Sequence, residues 1–520
     1  MRLVVANKRK IIASRVGEPS GGAEEEEHCH WSPGAGWKAP QPITVRVPCW
    51  AFSTVETAAG IRIRIAAPCK RKQTSRRQPD GAAHRLLSPQ VTVVGRIHLF
   101  PHRRIPRHTT MELECAIQKY AWGVYGLKSF VAQLAKAVSP DLEVSEEEPF
   151  AELWMGTHPN GPSVIKGSGE TLGHYIRRHP GVLGTPVIQT FGEQLPFLFK
   201  VLSVNQALSI QAHPNKSHAE ELHQERPDVY KDPNHKPEMT IALTPFQALC
   251  GFRPSQEITK HLTELPELQQ VVGEENAKTF IEEPTEANLK SCFSTMMNAP
   301  KENIESALSD LLTRLAEMDS AKGDELLRDL FTTLHEKYPG DVGCFSIYLL
   351  NYLTLQPGQA MFLGPNIIHA YLFGDCIECM ACSDNVVRAG LTPKYQDVET
   401  LVSMLEYTMM PAESRNFEGF KMDNYTILYN PPVPDFAVDM IEVPSGVGQY
   451  TLRPVESASI VLVVEGKARK VEANPSAPGE LPQVTSLQRG SVIFLAADQS
   501  LTVRPTSGSR LLAFRALCVL

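Results

Sequence analysis

The segment "LSIQAHPNK" (residues 208–216) alternates apolar and polar side chains in the pattern of a β-strand. Successive strand residues point to opposite faces, so the apolar residues share one face and the polar residues share the other. The polar face would carry Ser209, Gln211 and His213. Such a face is available for chemistry, although a half-exposed antiparallel strand whose polar side meets water has the same pattern.

Similar apolar runs broken by turn residues fill residues 111–253 and return over 339–407, which predicts strands of one discontinuous β domain. Residues 254–338 show helical spacing instead. Two helical stripes are visible: Ile304, Leu308, Leu311, Leu312, Leu315 and Met318, then Leu326, Leu327, Leu330, Phe331 and Leu334. Strand-and-turn patterns occupy 408–520. The chain is therefore predicted to be mainly β, with a helical insertion in the first of two β domains.

A short internal repeat relates the two β domains. Gly358 precedes Phe362 by four residues in "PGQAMFLGPNIIHAY", and Gly490 precedes Phe494 in the same way. Aligning the glycines places His369 opposite Leu501, which predicts that the second domain lacks the polar tip of the first. Two unrelated domains that each use a glycine turn before a strand would also match.

The distribution of charge separates residues 1–110 from the rest of the chain. The whole chain has a net charge of -7, but residues 1–110 hold 19 Lys and Arg against 7 Asp and Glu. This region lacks apolar periodicity and is rich in Pro, Gly, Ser and Arg, which predicts a disordered basic extension before a folded part beginning at Met111. A nucleic-acid-binding tail or a transit peptide are the alternatives, and the acidic run Glu24 to Glu27 opposes both.

Composition narrows the class of protein further. Eleven irregularly spaced cysteines in 520 residues do not resemble a disulfide framework and favour a reducing, cytoplasmic setting. No run of eighteen or more apolar residues is present, so no membrane partner is expected. We also expect no nucleic-acid partner, and we expect a monomer that acts on a small molecule.

Two further segments carry side chains suited to a metal ion. Glu238 opens the alternating strand of "DPNHKPEMTIAL", and His369 follows the apolar run "AMFLGPNII". A carboxylate is costly to bury unless it is paired or binds a cation. Together with Gln211 and His213, these residues form a mixed nitrogen and oxygen set that suits a divalent ion such as zinc, although each alone is commonly structural.

The motif "CIECMAC" suggests a different metal site. Cys376, Cys379 and Cys382 are spaced like cluster ligands, but the chain has no second regular pair. Strand positions three apart face opposite sides, so the three thiols would not converge. We expect buried or chemically unremarkable cysteines.

Several long motifs resemble type I phosphomannose isomerases: "YAWG" (120–123), "AELWMGTHP" (151–159), "LPFLFKVL" (195–202), "LSIQAHPNK", "NHKPEM" (234–239) and "ECMACSDNVVRAGLTPK" (378–394). The resemblance covers about residues 112–520. It implies two cupin-type, jelly-roll-like β domains, the second without a metal site, and an aldose-ketose isomerase that interconverts mannose 6-phosphate and fructose 6-phosphate.

The resemblance also implies roles for individual residues. One zinc ion per chain would be held by Gln211, His213, Glu238 and His369. The implied catalytic residues are Arg388, Lys236 and Glu378, and the implied substrate-binding residues are Ser209, Lys394, Asp384 and Tyr371. Arg388 and Lys394 suit a phosphate, while Arg388 equally suits the developing enediolate. Lys236, Glu378 and Asp384 are each able to act as or orient an acid or base, and the sequence does not rank them.

Two other functions fit parts of the pattern. A non-haem iron oxygenase of cupin fold would use two histidines and a carboxylate, but it has no need of Gln211 or of phosphate-binding cations. A cupin that binds sugar phosphates without turnover would keep the ligand set, and the presence of Arg388 argues against it. An isomerase that supplies mannose 6-phosphate for GDP-mannose synthesis is the function that the sequence favours.

Overall fold

A computed structural model describes residues 110–471, 486–506, 508 and 510–520, together with two strands near the N-terminus. The chain divides into two compact units, Met1–His98 and Leu99–Leu520. In the first unit, Phe52–Glu56 and Arg62–Ala66 pair as an antiparallel hairpin. Apart from this hairpin and Thr110, the predicted basic extension lies outside the described residues, and its disorder stays a prediction.

The largest sheet has eleven strands: Ala116–Gln118, Glu152–Met155, Phe197–Val204, Ile210–Ala212, Glu238–Ala242, Phe246–Phe252, Leu350–Leu355, Ala360–Leu363, His369–Ala381, Val387–Gly390 and Asn416–Phe417. A separate pair consists of Val124–Tyr125 and Pro149–Phe150. All described pairings in the large sheet are antiparallel.

The long strand His369–Ala381 joins the two halves of this sheet. Its first residues pair with Phe246–Phe252, and its later residues pair with Glu238–Ala242 on one side and Phe197–Val204 on the other. Gly374 separates the two parts with a φ of 106°, and a Cβ there would lie 2.4 Å from the carbonyl oxygen of Pro245. Only glycine fits this backbone, and the strand changes its pairing partners at this residue.

The helices are Phe130–Val138, Leu172–Arg178, Thr185–Phe191, Lys216–Glu225, Ser255–Glu264, Pro266–Val272, Glu274–Glu282, Glu286–Met297, Lys301–Glu317, Ser320–Glu325, Arg328–Lys337 and Val398–Met404. Short 3₁₀ helices occupy Gly126–Lys128, Pro180–Leu183, Val342–Tyr348 and Ala412–Arg415. Over the described residues, none of the helices combines the length and the apolar character needed to cross a membrane.

The helices between Ser255 and Lys337 bury the apolar stripes that the spacing predicts. Leu308, Leu311 and Leu315 are fully buried, and their core also contains Ile210 and Ala212. The apolar face of the Ile210–Ala212 strand therefore packs against the helical insertion. This packing leaves the other face of the strand for polar side chains.

The second β domain is a sandwich of two sheets over an apolar core. Its larger sheet contains Phe420–Lys421, Thr426–Tyr429, Ala437–Val443, Leu511–Leu517, Ser459–Glu465 and Val492–Leu495, with Thr110–Glu114 and Val164–Ile165 at one edge. Its smaller sheet contains Tyr450–Leu452, Leu501–Pro505, Lys467–Lys470 and Ser486–Gln488. Leu501 is buried in the core between them.

The predicted mainly β fold with a helical insertion is confirmed. Strand pairing nevertheless crosses the predicted domain bounds in two places, because Thr110–Glu114 pairs with Val492–Leu495, and Asn416–Phe417 pairs with Ala360–Leu363. The bounds 111–253 plus 339–407, 254–338 and 408–520 therefore stay a prediction.

Candidate active site

Three neighbouring strand ends bring the predicted metal ligands together. Gln211 lies in Ile210–Ala212 and pairs opposite His369, the first residue of the long strand. His213 follows directly after Gln211 and Ala212, and Glu238 is the first residue of its own strand. Four residues from three distant parts of the sequence thus meet at one end of the sheet.

The histidine and glutamate side chains have the geometry of a metal centre. His213 Nε2 and His369 Nε2 lie 3.4 Å and 3.5 Å from the same atom, Glu238 Oε2. Their candidate donor atoms all fall within 4.8 Å of one another, and within the described residues they form the one such group of three or more His, Cys, Asp or Glu. Two donors about 2.1 Å from one tetrahedral zinc ion would lie roughly 3.4 Å apart.

Hydrogen bonds fix which nitrogen of each histidine is free. His213 Nδ1 lies 2.7 Å from the carbonyl oxygen of Asn385, and His369 Nδ1 lies 2.8 Å from that of Ile367. Carbonyl oxygens accept hydrogen bonds, so both Nδ1 atoms donate and both Nε2 atoms keep their lone pairs. The two Nε2 atoms are buried and have no hydrogen-bond partner. Such orphaned acceptors fit a metal ion.

Electrostatics keeps this cluster in its metal-binding form. Burial is the largest influence on His213 and lowers its pKa to about 4, which leaves the imidazole neutral near pH 7. Burial opposes ionisation of Glu238, but the neighbouring groups, Lys236 foremost, outweigh it and hold its pKa well below its usual range. Lys236 Nζ lies 2.9 Å from Glu238 Oε1. A neutral imidazole and a carboxylate are the forms that bind a metal.

A second buried group of charges lies beside the cluster, centred on Lys200. Its Nζ lies 2.9 Å from Glu378 Oε2 and 3.4 Å from Glu152 Oε2, and 5.2 Å from the ring centre of Trp154. Burial acts to lower the pKa of Lys200, but Glu152, Glu378 and Glu238 outweigh it and raise that pKa. For Glu378, burial dominates and raises its pKa. Lys200 therefore stays charged and compensates the buried carboxylates.

A cleft of about 790 Å³ opens onto both groups. Nine of the eleven predicted site residues line it: Ser209, Gln211, Lys236, Glu238, Tyr371, Glu378, Asp384, Arg388 and Lys394. The remaining two, His213 and His369, lie behind the lining of the cleft and contact Glu238, which lines it. The structure thus places every predicted site residue at or directly behind one cleft.

The cleft also holds two cations without acidic partners. In the described part of the chain, no carboxylate lies within 4.0 Å of the Arg388 guanidinium or the Lys394 ammonium. Burial lowers the pKa of Arg388, and burial together with Arg388 lowers that of Lys394. Two neighbouring cations without acidic partners among the described residues favour an anionic ligand.

The other predicted substrate-binding residues have distinct surroundings. Asp384 Oδ1 lies 3.3 Å from Nε2 of the buried His158, whose hydrogen bond is the largest cause of a lowered pKa for Asp384. Tyr371 is buried, and burial, Glu378 and Glu238 raise the pKa of its phenol well above the usual range. Ser209 is partly buried and lies directly before the strand Ile210–Ala212. Asp384 is therefore an acceptor toward the cleft, and Tyr371 is a neutral hydroxyl.

Sequence reasoning missed Lys200, Glu152, Trp154 and His158 as site residues. All four lie in motifs that carry the family resemblance, "AELWMGTHP" and "LPFLFKVL". Lys200 interrupts the apolar run of the second motif. A lysine inside a strand whose residues are all buried is a signal for a buried ion pair. Its partners were not visible because the pairing of Lys200 with Glu378 is set by strand register.

The "CIECMAC" cysteines do not form a second metal site. Cys376 and Cys379 are buried in different apolar cores, and burial raises the pKa of both thiols well above the usual range. Cys382 is partly buried, and burial raises its pKa to about 11. Protonated thiols on opposite faces of a strand are poor metal ligands. The expectation of buried or unremarkable cysteines is confirmed.

Comparisons with known proteins match almost all of the folded part. Family models of type I phosphomannose isomerase match at residues 110–255 (catalytic domain), 256–350 (helical insertion domain) and 426–469 (C-terminal). Mannose-6-phosphate isomerase of Bos taurus is 49% identical over 421 residues, which cover 78% of this chain and 98% of the relative.

Solved structures agree with these matches. A mannose 6-phosphate isomerase bound with zinc and yttrium is 33% identical, with a TM-score of 0.67, and the match covers 79% of this chain and 100% of that chain. The apo form of mannose 6-phosphate isomerase from Salmonella typhimurium has the same identity, TM-score and coverage.

Proposed function

The chain belongs to the type I phosphomannose isomerase family, and from this premise we propose that it interconverts mannose 6-phosphate and fructose 6-phosphate through a cis-enediol. The observation that carries the proposal is one cleft that combines two orphaned histidine nitrogens beside Glu238 with two cations that lack acidic partners. A sugar phosphate needs both features, since its hydroxyls and carbonyl suit a metal and its phosphate suits cations.

The metal is zinc in this proposal, with one ion per chain. His213, Glu238 and His369 would hold it, with Gln211 as the fourth ligand on the strand opposite His369. Zinc bound there would act as a Lewis acid that stabilises negative charge developing on the oxygens at C1 and C2. Imidazole, carboxylate and amide donors suit zinc, and the support comes from the geometry of the cluster and from the zinc-bound relative.

The isomerisation moves one proton from C2 to C1 and another from the C2 oxygen to the C1 oxygen, and it leaves the oxidation state of the sugar phosphate unchanged overall. A base removes the proton from C2 of the aldose, a proton is returned to C1, and a second transfer moves the hydroxyl proton between the two oxygens. We assign these transfers to Glu378 and Lys236, which both line the cleft next to Glu238. Burial raises the pKa of the Glu378 carboxyl, which favours its taking up a proton during the reaction.

Arg388 and Lys394 bind and orient the anion in this proposal. A guanidinium fork binds two oxygens at once, whereas an ammonium acts as a point charge. Arg388 pairs opposite Gln211 in the strand register, so it is the cation nearer to the metal ligands along the backbone and is suited to stabilise the enediolate as well. Ser209, Asp384 and Tyr371 offer hydrogen bonds to sugar hydroxyls.

The cellular setting is also a proposal. We place the enzyme in the cytoplasm as a monomer that supplies mannose 6-phosphate for GDP-mannose synthesis, with neither nucleic acid nor membrane as a partner. The eight described cysteines are all free, which fits a reducing compartment.

A coupled assay for fructose 6-phosphate formed from mannose 6-phosphate, with metal analysis of the same preparation, tests the function. Turnover should disappear on chelation and return with zinc. A zinc-loaded chain that binds mannose 6-phosphate without converting it would instead support a sugar-phosphate-binding protein.

A further inference from the structure

Asp341 makes an unusual set of hydrogen bonds at the edge of the cleft. It lies between the last helix of the insertion, Arg328–Lys337, and the 3₁₀ helix Val342–Tyr348. Its Oδ1 accepts hydrogen bonds from the backbone N–H of Gly343 at 2.7 Å and of Leu391 at 3.0 Å. Its Oδ2 accepts one from the N–H of Thr392 at 3.3 Å. One carboxylate therefore joins two segments about fifty residues apart.

Capping of the 3₁₀ helix explains only one of these bonds. An N-cap aspartate satisfies a free N–H at the start of its own helix, which here is the N–H of Gly343. Leu391 and Thr392 belong to the turn that follows the strand Val387–Gly390. The two further bonds therefore serve this turn.

The turn has a backbone that requires support. Leu391 is buried and adopts a φ of 51°, in the left-handed region that costs a branched side chain free energy. Gly390 packs so closely that a Cβ there would lie 3.0 Å from Gly343 Cα and 3.2 Å from Asp341 Oδ1. The Asp341 carboxylate and the tight glycine contact together hold Leu391 in this conformation.

The two cations of the cleft flank this turn. Arg388 lies three residues before Leu391 and Lys394 three residues after it, and all three line the cleft with Asp341 and Thr392. Beyond Lys394, the N–H of Asp397 donates to the carbonyl oxygen of Arg388 at 2.9 Å. Movement of the turn would thus displace Lys394 relative to Arg388, whose strand pairs with Gln211.

We infer that Asp341 is a positioning residue, whose carboxylate holds the Gly390–Thr392 turn in its left-handed conformation and thereby places Arg388 and Lys394 for the phosphorylated substrate. The inference rests on the proposed function, because it assigns the two cations to that substrate. It also gives the helical insertion a part in the site, since Asp341 lies within residues 256–350, which match the helical insertion domain.

Asp341→Ala tests the inference. We expect kcat/KM for mannose 6-phosphate to fall at least tenfold while bound zinc stays at the wild-type level. Affinity for fructose 6-phosphate, measured by calorimetry, should fall with it. Asp341→Asn keeps one oxygen that can accept hydrogen bonds from the N–H groups of Gly343 and Leu391. Its kcat/KM should therefore lie between those of Asp341→Ala and wild type.

Asp319→Ala is the matched control. Asp319 also accepts a backbone hydrogen bond, from Lys322 N–H at 2.9 Å, and caps Ser320–Glu325 away from the cleft residues. It should lower thermal stability without changing kcat or KM. A purely structural role for Asp341 would give the same outcome as this control and would overturn the inference.

A double-mutant cycle separates positioning from general destabilisation. If Asp341 acts through the turn, Lys394→Ala should cost less in the Asp341→Ala background than in wild type. Additive effects would overturn the inference, and the cycle can be run with Asp341→Asn should the alanine variant not fold. Absence of turnover in the zinc-loaded wild type would instead defeat the proposed function, so the two failures are distinguishable.

Discussion

Replacing Lys200 with methionine should strongly destabilise the protein. Lys200 Nζ lies 2.9 Å from Glu378 Oε2 and 3.4 Å from Glu152 Oε2, and all three side chains are buried. Methionine keeps much of the volume but leaves two carboxylates uncompensated away from water. Removing one partner of a buried ion pair costs about 3–5 kcal/mol, and we expect a loss of that size in urea unfolding.

Lys322→Met provides the matched control. Lys322 also lies between two carboxylates, at 2.9 Å from Glu264 and 2.8 Å from Glu325, but all three side chains are about a third or more exposed. Water screens such pairs, so this variant should lose far less stability than Lys200→Met. Equal losses in the two variants would refute the argument that burial, rather than pairing, sets the cost.

The pH dependence of the unfolding free energy that Lys200→Met loses gives a second check. The pKa of Glu378 is already raised above its usual value by burial, and loss of Lys200 removes the largest opposing influence. The folded variant therefore binds a proton more readily than its unfolded chain, which favours folding at low pH and disfavours it as pH rises through the folded pKa. The difference in unfolding free energy between wild type and Lys200→Met should therefore shrink as the pH is lowered from 8 to 5. A deficit that grows on acidification would contradict this sign.

Three further changes probe the metal, the extension and the anion. His369→Ala should remove bound zinc and activity together without unfolding the chain, as metal analysis and circular dichroism would detect; full zinc occupancy with normal turnover would remove His369 from the ligand set. A chain that begins at Met111 should fold and isomerise as well as the full chain, whereas soluble but inactive protein would give the extension a role. Arg388→Lys should keep zinc but lower kcat by ~100-fold or more if the guanidinium stabilises the enediolate, and should chiefly raise KM if it binds only the phosphate.

Local sequence patterns predicted the parts of the fold that depend on near neighbours. The alternation around Gln211 predicted a strand with one polar face, and its apolar residues Ile210 and Ala212 are fully buried. Helical spacing predicted the stripe that contains Leu308 and Leu311, which are buried in the same core. Period and apolarity are properties of a short segment, so a single sequence is enough to reveal them.

Contacts set by long-range register were not predictable in the same way. Lys200 lies opposite Glu378 across a strand pair that joins residues 178 positions apart. Nothing near either residue in the sequence indicates this partner. Thr110–Glu114 likewise pairs with Val492–Leu495 in the second β domain, although its sequence neighbours belong to the first. The residue pattern and the family resemblance supplied the candidate metal ligands, but not the buried ion pairs that surround them.

The distribution of charge explains how the cleft would orient a sugar phosphate. On the inner face of the sheet, Glu152, Glu238 and Glu378 outnumber Lys200 and Lys236 by one, so this part attracts a cation. The strand Val387–Gly390 and its turn carry Arg388 and Lys394, with no carboxylate within 4.0 Å among the described residues.

A phosphate monoester has about two negative charges near pH 7, which two unpaired cations match in magnitude. Its sugar end is uncharged and rich in oxygen donors and acceptors, which suits the carboxylates, Lys236 and a metal ion. The reverse orientation would place the phosphate against three carboxylates and leave Arg388 and Lys394 uncompensated. For the proposed substrate, electrostatics would therefore select one direction of binding, with the reacting C1 and C2 near Glu238 and the phosphate beside the turn that Asp341 supports.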